Sequence, residues 1–185
     1  SPLKIVSTGR IEPEKGQQFL IEACGRLKER INFHLILVGE VVDQEYANVC
    51  EKIAFEYGIR DCLTLTGYKE NIDGILQDAD IFVLPSTGEA FSRAIIEAMA
   101  AGRPVVATDV GGTKEAIEDG VSGFVVPPVD ATAMAERIFA LATDEKLRQK
   151  FGAEARKRVE ALFTIEKNVE KTELIYAELL GGKKP

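Results

Sequence analysis

Two glutamates, Glu89 and Glu97, bracket the start of an apolar helical stretch in residues 85–101, PSTGEAFSRAIIEAMAA. Phe91, Ala94, Ile95, Ala98 and Met99 recur at helical spacing and form one apolar stripe. At about 100° per residue, Glu97 lies roughly 200° round from Ile95 and points away from that stripe. Glu89 falls in the loop before the helix. One carboxylate therefore stands at a helix mouth and the other about a turn and a half inside it. The free N–H groups of a helix start attract an anion. A phosphate held there would have a carboxylate on either side, each suited to sugar hydroxyls. Taken alone, two glutamates at this spacing more commonly mark a solvated helix face. Their surroundings decide the matter.

The segment sits between two apolar runs, Ile81-Phe82-Val83-Leu84 and Val105-Val106-Ala107, which makes a strand–loop–helix–strand unit. The same alternation runs through the chain. Strands are predicted over 3–7, 34–38, 63–65, 81–84, 105–108 and 123–126. Helices are predicted over 17–30, 43–57 and 72–77, with a short one opening at Thr113, then over 131–142, 145–163 and 165–180. In the first long helix Leu20, Ala23, Cys24, Leu27 and Ile31 share a face; in the second Tyr46, Val49, Cys50 and Ile53 point inward. Alternating strands and helices predict a parallel sheet covered on both faces. The fold class is α/β: a three-layer, Rossmann-like domain with a mostly parallel six-stranded sheet, helices on both faces and extra C-terminal helices. Ligands in such sheets bind beyond the carboxyl ends of the strands. The unusual residues gather there: Gly9-Arg10 after the first strand, Gly39 after the second, Gly67 after the third, residues 86–89 after the fourth, and Gly111-Gly112 after the fifth.

The 185 residues suffice for one domain with a full core. The formal net charge of −7 argues against broad nucleic-acid binding. The 3 cysteines, Cys24, Cys50 and Cys62, form no C-x-x-C pair and read as reduced core residues of a cytoplasmic protein. No apolar run approaches the roughly 20 residues of a membrane span. Strand character begins at Leu3, so no leader is expected, and the chain reads as a piece of something longer.

In their order along the chain, Pro85-Ser86, Glu89-Ala90-Phe91, Glu97-Ala98-Met99-Ala100-Ala101-Gly102, Pro104-Val105-Val106-Ala107-Thr108, Gly111-Gly112, Asp119-Gly120-Val121-Ser122-Gly123 and Val126-Pro127-Pro128 make a specific series. It resembles the C-terminal, nucleotide-sugar-binding domain of the GT-B retaining glycosyltransferases, family 4 (group 1) above all, and the likeness covers nearly the whole chain. The resemblance implies that residues 1–185 are a single donor-binding domain, with an N-terminal acceptor domain outside this chain, on a longer parent or a separate polypeptide. It implies that Glu89 contacts the donor sugar near the reacting centre and that Glu97 binds the ribose. It also implies that Arg10 and Lys15, in the run Gly9-Arg10 to Glu14-Lys15-Gly16, grip the diphosphate. A planar fork and a point charge both act more strongly as negative charge grows on the leaving group. Glu89, Arg10 and Lys15 are thus the catalytic candidates. Gly9, Gly39, Gly67, Tyr68, Ala90, Phe91, Ser92 and Arg93 join Glu97 as donor-binding candidates.

Some positions depart from the family. Arg93 replaces a small or apolar residue, and a cation in a first helical turn opposes the macrodipole. An i,i+4 pair with Glu97 would offset this; the alternative is that Arg93 faces the phosphate site. Ala90 replaces a glycine. Val41-Val42 replace a more polar run after Gly39. Tyr68 could stack on a base, and Gly111-Gly112 allows a tight turn near the ligand. His34, the sole histidine, begins a strand far from the site. No Cys/His cluster has metal-ligand spacing. The expectation is therefore no metal and no cofactor, with a UDP-, GDP- or ADP-linked sugar as substrate. Any contact with a membrane surface would come through the absent half. The alternatives are a non-catalytic nucleotide-binding or regulatory domain of the same fold, or a GT-B nucleotide-sugar epimerase.

Overall fold

The computed structural model describes residues 1–180. Six strands, β1 (Leu3–Thr8), β2 (Phe33–Val38), β3 (Leu63–Leu65), β4 (Ile81–Leu84), β5 (Val105–Thr108) and β6 (Gly123–Val126), form one sheet in the order β3-β2-β1-β4-β5-β6. Every named strand pair is parallel, and an isolated antiparallel bridge joins Gly39 and Gly67 beyond the ends of β2 and β3, so the sheet is mostly parallel as expected. The helices are α1 (Gln17–Gly25), α2 (Gln44–Glu56), α3 (Asp73–Asp78), α4 (Arg93–Ala100), α5 (Thr113–Ala116), α6 (Ala131–Thr143), α7 (Glu145–Leu162) and α8 (Ile165–Leu179).

Successive strand residues point to opposite faces, and the core divides accordingly. Ile5, Leu35, Leu37, Ile81, Val83 and Val106 face one side, packed with α1, α2 and α6. Val6, Val38, Phe82, Leu84, Val105 and Ala107 face the other, packed with α3, α4 and α7. β4 and β5 are buried along their full length, as strands covered on both sides must be. Their unbroken apolar runs follow from that burial. Asp43, Asp130 and Asp144 start α2, α6 and α7 by accepting hydrogen bonds from the amides of Tyr46, Ala133 and Leu147, each at 2.9 Å.

The order reverses between β1 and β4: from β1 the chain winds outward to β3, then returns to begin β4 on β1's other side. The loops leaving β1 and β4 therefore part in opposite directions and open a crevice at their carboxyl ends. The Arg10–Lys15 loop and the Glu89 loop are those two.

Three local expectations change. α1 ends at Gly25, and turns with bonds such as Leu27 N–H to the Cys24 carbonyl, 2.9 Å, carry the chain to Arg30. Val49 is 42% exposed: α2 packs chiefly against α1, and its buried stripe is narrow, made by Tyr46, Ala47, Cys50 and Ala54. Phe91 precedes α4 rather than continuing its stripe, and its ring packs against that of Phe163, centroids 5.7 Å apart and planes tilted by 46°. α8 carries no buried residue, and Leu174, Ile175 and Leu179 are exposed.

Candidate functional site

The site is assembled by the two loops at the crevice. Lys15 ends a 3-10 turn started by Pro13, and its Nζ lies 2.9 Å from Glu89 Oε2 across 74 residues of sequence. Both side chains are four-fifths buried. Ser86 Oγ donates to the same Oε2 at 3.3 Å. Behind it, the buried Thr108 hydroxyl at the end of β5 donates to the Ser86 carbonyl at 2.5 Å. Glu89 thus has one oxygen fixed by a cation and a hydroxyl and the other left to accept.

The loop that carries Glu89 is clamped from both sides. Thr87 N–H donates to the Glu14 carbonyl at 2.8 Å, tying it to the Lys15 loop. Gly16 is left-handed (φ 65°), and a Cβ there would stand 2.1 Å from the Pro85 carbonyl oxygen. On the other side, Gly112 N–H donates to the Ala90 carbonyl at 2.7 Å, and a Cβ on Gly111 would lie 1.7 Å from the Glu89 carbonyl oxygen. The paired glycines make the tight turn expected of them and admit the backbone of residues 89–90. Ala90 meets the same turn through its main chain.

Thr8, Gly9, Lys15, Leu84, Glu89, Ser92 and the first residues of α4 line a cleft of about 280 Å³. The buried Ser92 begins α4 without a side-chain cap, so the first-turn N–H groups have no side-chain oxygen from it. A cation, a carboxylate and an open helix start converge here, an arrangement that suits an anion with hydroxyls attached.

Glu97 does not share this cleft. It lines an adjoining one of about 570 Å³ with Ile96, Phe163, Asn168 and Lys171, between α4 and the α7–α8 corner. Phe91 and Arg93 border both. Arg93 is 91% exposed and pairs with Glu97 at 3.6 Å, so the i,i+4 offset is realised.

Arg10 is not brought to Glu89. Its main chain extends the sheet: Gly9 N–H donates to the Val38 carbonyl at 2.9 Å, Ile11 N–H to the Glu40 carbonyl at 2.8 Å, and Gln17 Nε2 to Arg10's own carbonyl at 2.8 Å. Its guanidinium lies 2.8 Å from Glu12 Oε1. Towards β3, Gly39 N–H donates to the Gly67 carbonyl at 3.1 Å, and the neighbouring Tyr68 is 73% exposed. Val42 is exposed beside Ile11.

Sequence reasoning missed Thr108 and Gln17 as supports. A lone hydroxyl residue closing an apolar strand was the available signal for Thr108; Gln17 gave none. His34 bonds Thr64 at 2.8 Å among strand side chains, away from the cleft. Burial pushes the Cys50 thiol up to about 11 and raises that of Cys24 too, so both are core thiols. Among the described residues no cluster of acidic, histidine or cysteine side chains could hold a metal ion, and no helix is long and apolar enough to cross a membrane.

Residues 1–158 match the family model of glycosyl transferases group 1. Alpha-D-kanosaminyltransferase from Streptomyces kanamyceticus is 33% identical over 178 residues, 95% of this chain and 45% of that protein. HepE from Anabaena, solved in complex with UDP and glucose, superposes with a TM-score of 0.88 at 26% identity over 95% of this chain and 48% of that one. The C-terminal domain of a glycosyl transferase group 1 protein, LpcC from Francisella tularensis, superposes with a TM-score of 0.81 at 28% identity, covering 88% of this chain and 87% of that one. The chain spans less than half the length of such curated relatives as the kanosaminyltransferase. With a parallel sheet of this order and a crevice built from these two loops, the chain belongs to the glycosyl transferases group 1, as a domain of their GT-B fold.

Proposed function

We propose that this chain binds a nucleotide-diphosphate sugar and presents it for transfer of the glycosyl group with retention of configuration. The observation that carries the reading is the Lys15–Glu89 contact at 2.9 Å beside the start of α4. The diphosphate takes Lys15 and the α4 amides, and Arg10 reaches it from the edge of the crevice. Glu89 accepts from the sugar hydroxyls and Glu97 from the ribose, with Gly67 and Tyr68 beside the base. Transfer breaks the bond between the anomeric carbon and the phosphate oxygen. A bond from an acceptor hydroxyl oxygen forms on the same face, and its proton is released. Lys15 and the helix start bind the departing diphosphate more tightly as its charge grows. That HepE was solved with UDP and with glucose supports the donor class. The acceptor is bound by a second domain outside these residues, so this chain alone binds the donor and transfers little.

Calorimetric titration with UDP, GDP and ADP tests the reading. At least one binds, and Lys15→Ala weakens it by about tenfold or more, the scale of one charge-assisted contact. Binding of none by the parent chain, or equal binding by the variant, overturns it.

A further inference from the structure

Arg10 is held in an unusual way. Its main chain is pinned on three sides, by the Gly9 amide on Val38, the Ile11 amide on Glu40 and the Gln17 carboxamide on its own carbonyl. Its side chain is 60% exposed and does not line the cleft where Lys15 meets Glu89. What holds the guanidinium is Glu12, a residue the family resemblance leaves without a role. The contact is close, 2.8 Å, yet Glu12 Oε1 lies buried without a well-directed hydrogen bond. The guanidinium nitrogen is near this oxygen, but no N–H points at it. The pair is therefore a charge contact of poor direction. The arginine end of the pair is exposed while the glutamate end is mostly buried, and a long side chain on a fixed backbone can leave the contact by rotation alone.

We propose that Glu12 competes with the donor's diphosphate for Arg10 and so sets how tightly the chain holds its donor. The inference rests on the donor-binding reading above. Arg10 has one station on Glu12 and a second over the crevice, where a diphosphate with two or more charges outbids a single carboxylate. The guanidinium keeps donors free for either partner. Glu12 is a positioning residue: it touches Arg10, not the sugar.

The test is calorimetric titration of the parent, Glu12→Gln, Arg10→Ala and the double variant with UDP and with inorganic pyrophosphate, at two salt concentrations. Glu12→Gln keeps the side chain's size; circular dichroism verifies each fold, and Glu12→Ala gives a second removal of the charge. The expected result is a gain of about two- to fivefold in affinity for Glu12→Gln, the scale of one poorly directed ion pair. The gain disappears in the Arg10→Ala background, and the salt dependence of binding steepens with Arg10 released. A gain that persists without Arg10 is simple repulsion by Glu12 and overturns the proposal. Unchanged or weaker binding by Glu12→Gln overturns it too, while leaving donor binding intact. Tightened pyrophosphate binding with no binding of any nucleotide keeps this competition and removes the donor reading. Failure of both ligands with the parent chain removes both.

Discussion

At the scale of single residues, the Lys15–Glu89 pair is held by side chains that stand behind it. Ser86 holds one oxygen of Glu89, and Thr108 holds Ser86. In Ser86→Ala, Glu89 keeps Lys15 but loses a hydrogen bond worth about 1 kcal/mol. A nucleotide-sugar should then lose several-fold in affinity while the bare nucleotide changes little, as paired titrations would reveal. Thr108→Val leaves the Ser86 carbonyl without its buried donor, so urea denaturation should show a loss of about 1–3 kcal/mol. The cysteines make a second prediction at this scale. Cys24 and Cys50 are buried, with thiols raised by that burial, whereas Cys62 is partly exposed. A colorimetric thiol reagent should react quickly with Cys62 alone in the native chain, and with all three after unfolding. That Glu89 and Lys15 fall at neighbouring strand ends was legible in the sequence, because apolar runs announce the strands; their roles came from the family resemblance alone. The side-chain station of Arg10 was not legible, because it depends on which carboxylate the fold sets within reach.

At the scale of elements, one backbone strain stands apart from the site. Val129 has φ 62°, a left-handed conformation, between Pro128 and the cap Asp130 of α6. Its branched Cβ makes that conformation costly, by ~1–2 kcal/mol. Val129→Gly removes the strain but gives the unfolded chain more freedom, so thermal melting should show a net gain of up to about 1 kcal/mol. Asp130→Ala should have the opposite sign and cost about 1 kcal/mol through the lost cap on Ala133. The strands and the α4 unit were legible because buried parallel strands and amphipathic helices repeat at periods that sequence displays. Val49 and the end of α1 were not. An outer helix buries only a narrow stripe, and the main-chain turns from Gly25 to Arg30 imitate helical spacing. The separation of Glu97 from Glu89 depends on where α7 and α8 turn beside α4, a tertiary matter that no local pattern contains.

At the scale of the molecule, α8 is an appendage. It has no buried residue, while Leu174, Ile175, Tyr176 and Leu179 stand in solvent. A chain ending at Thr164 should unfold in urea within about 1 kcal/mol of the parent, since little apolar area is exposed by the loss. A larger loss would show that α8 contributes packing to this domain. The crevice, by contrast, is tied to the whole sheet. Thr87 on Glu14, Gly16 under Pro85 and Gly112 on Ala90 join the lysine loop, the glutamate loop and the turn after β5 into one block. The outer rim is attached differently: β3 has three residues, and Tyr68 projects from its end into water. Change is accordingly cheap on one side and dear on the other. Exchanging Tyr68 and its neighbours should leave the Lys15–Glu89 pair where it is, whereas lengthening any of the three joined turns shifts the ground under all of them at once.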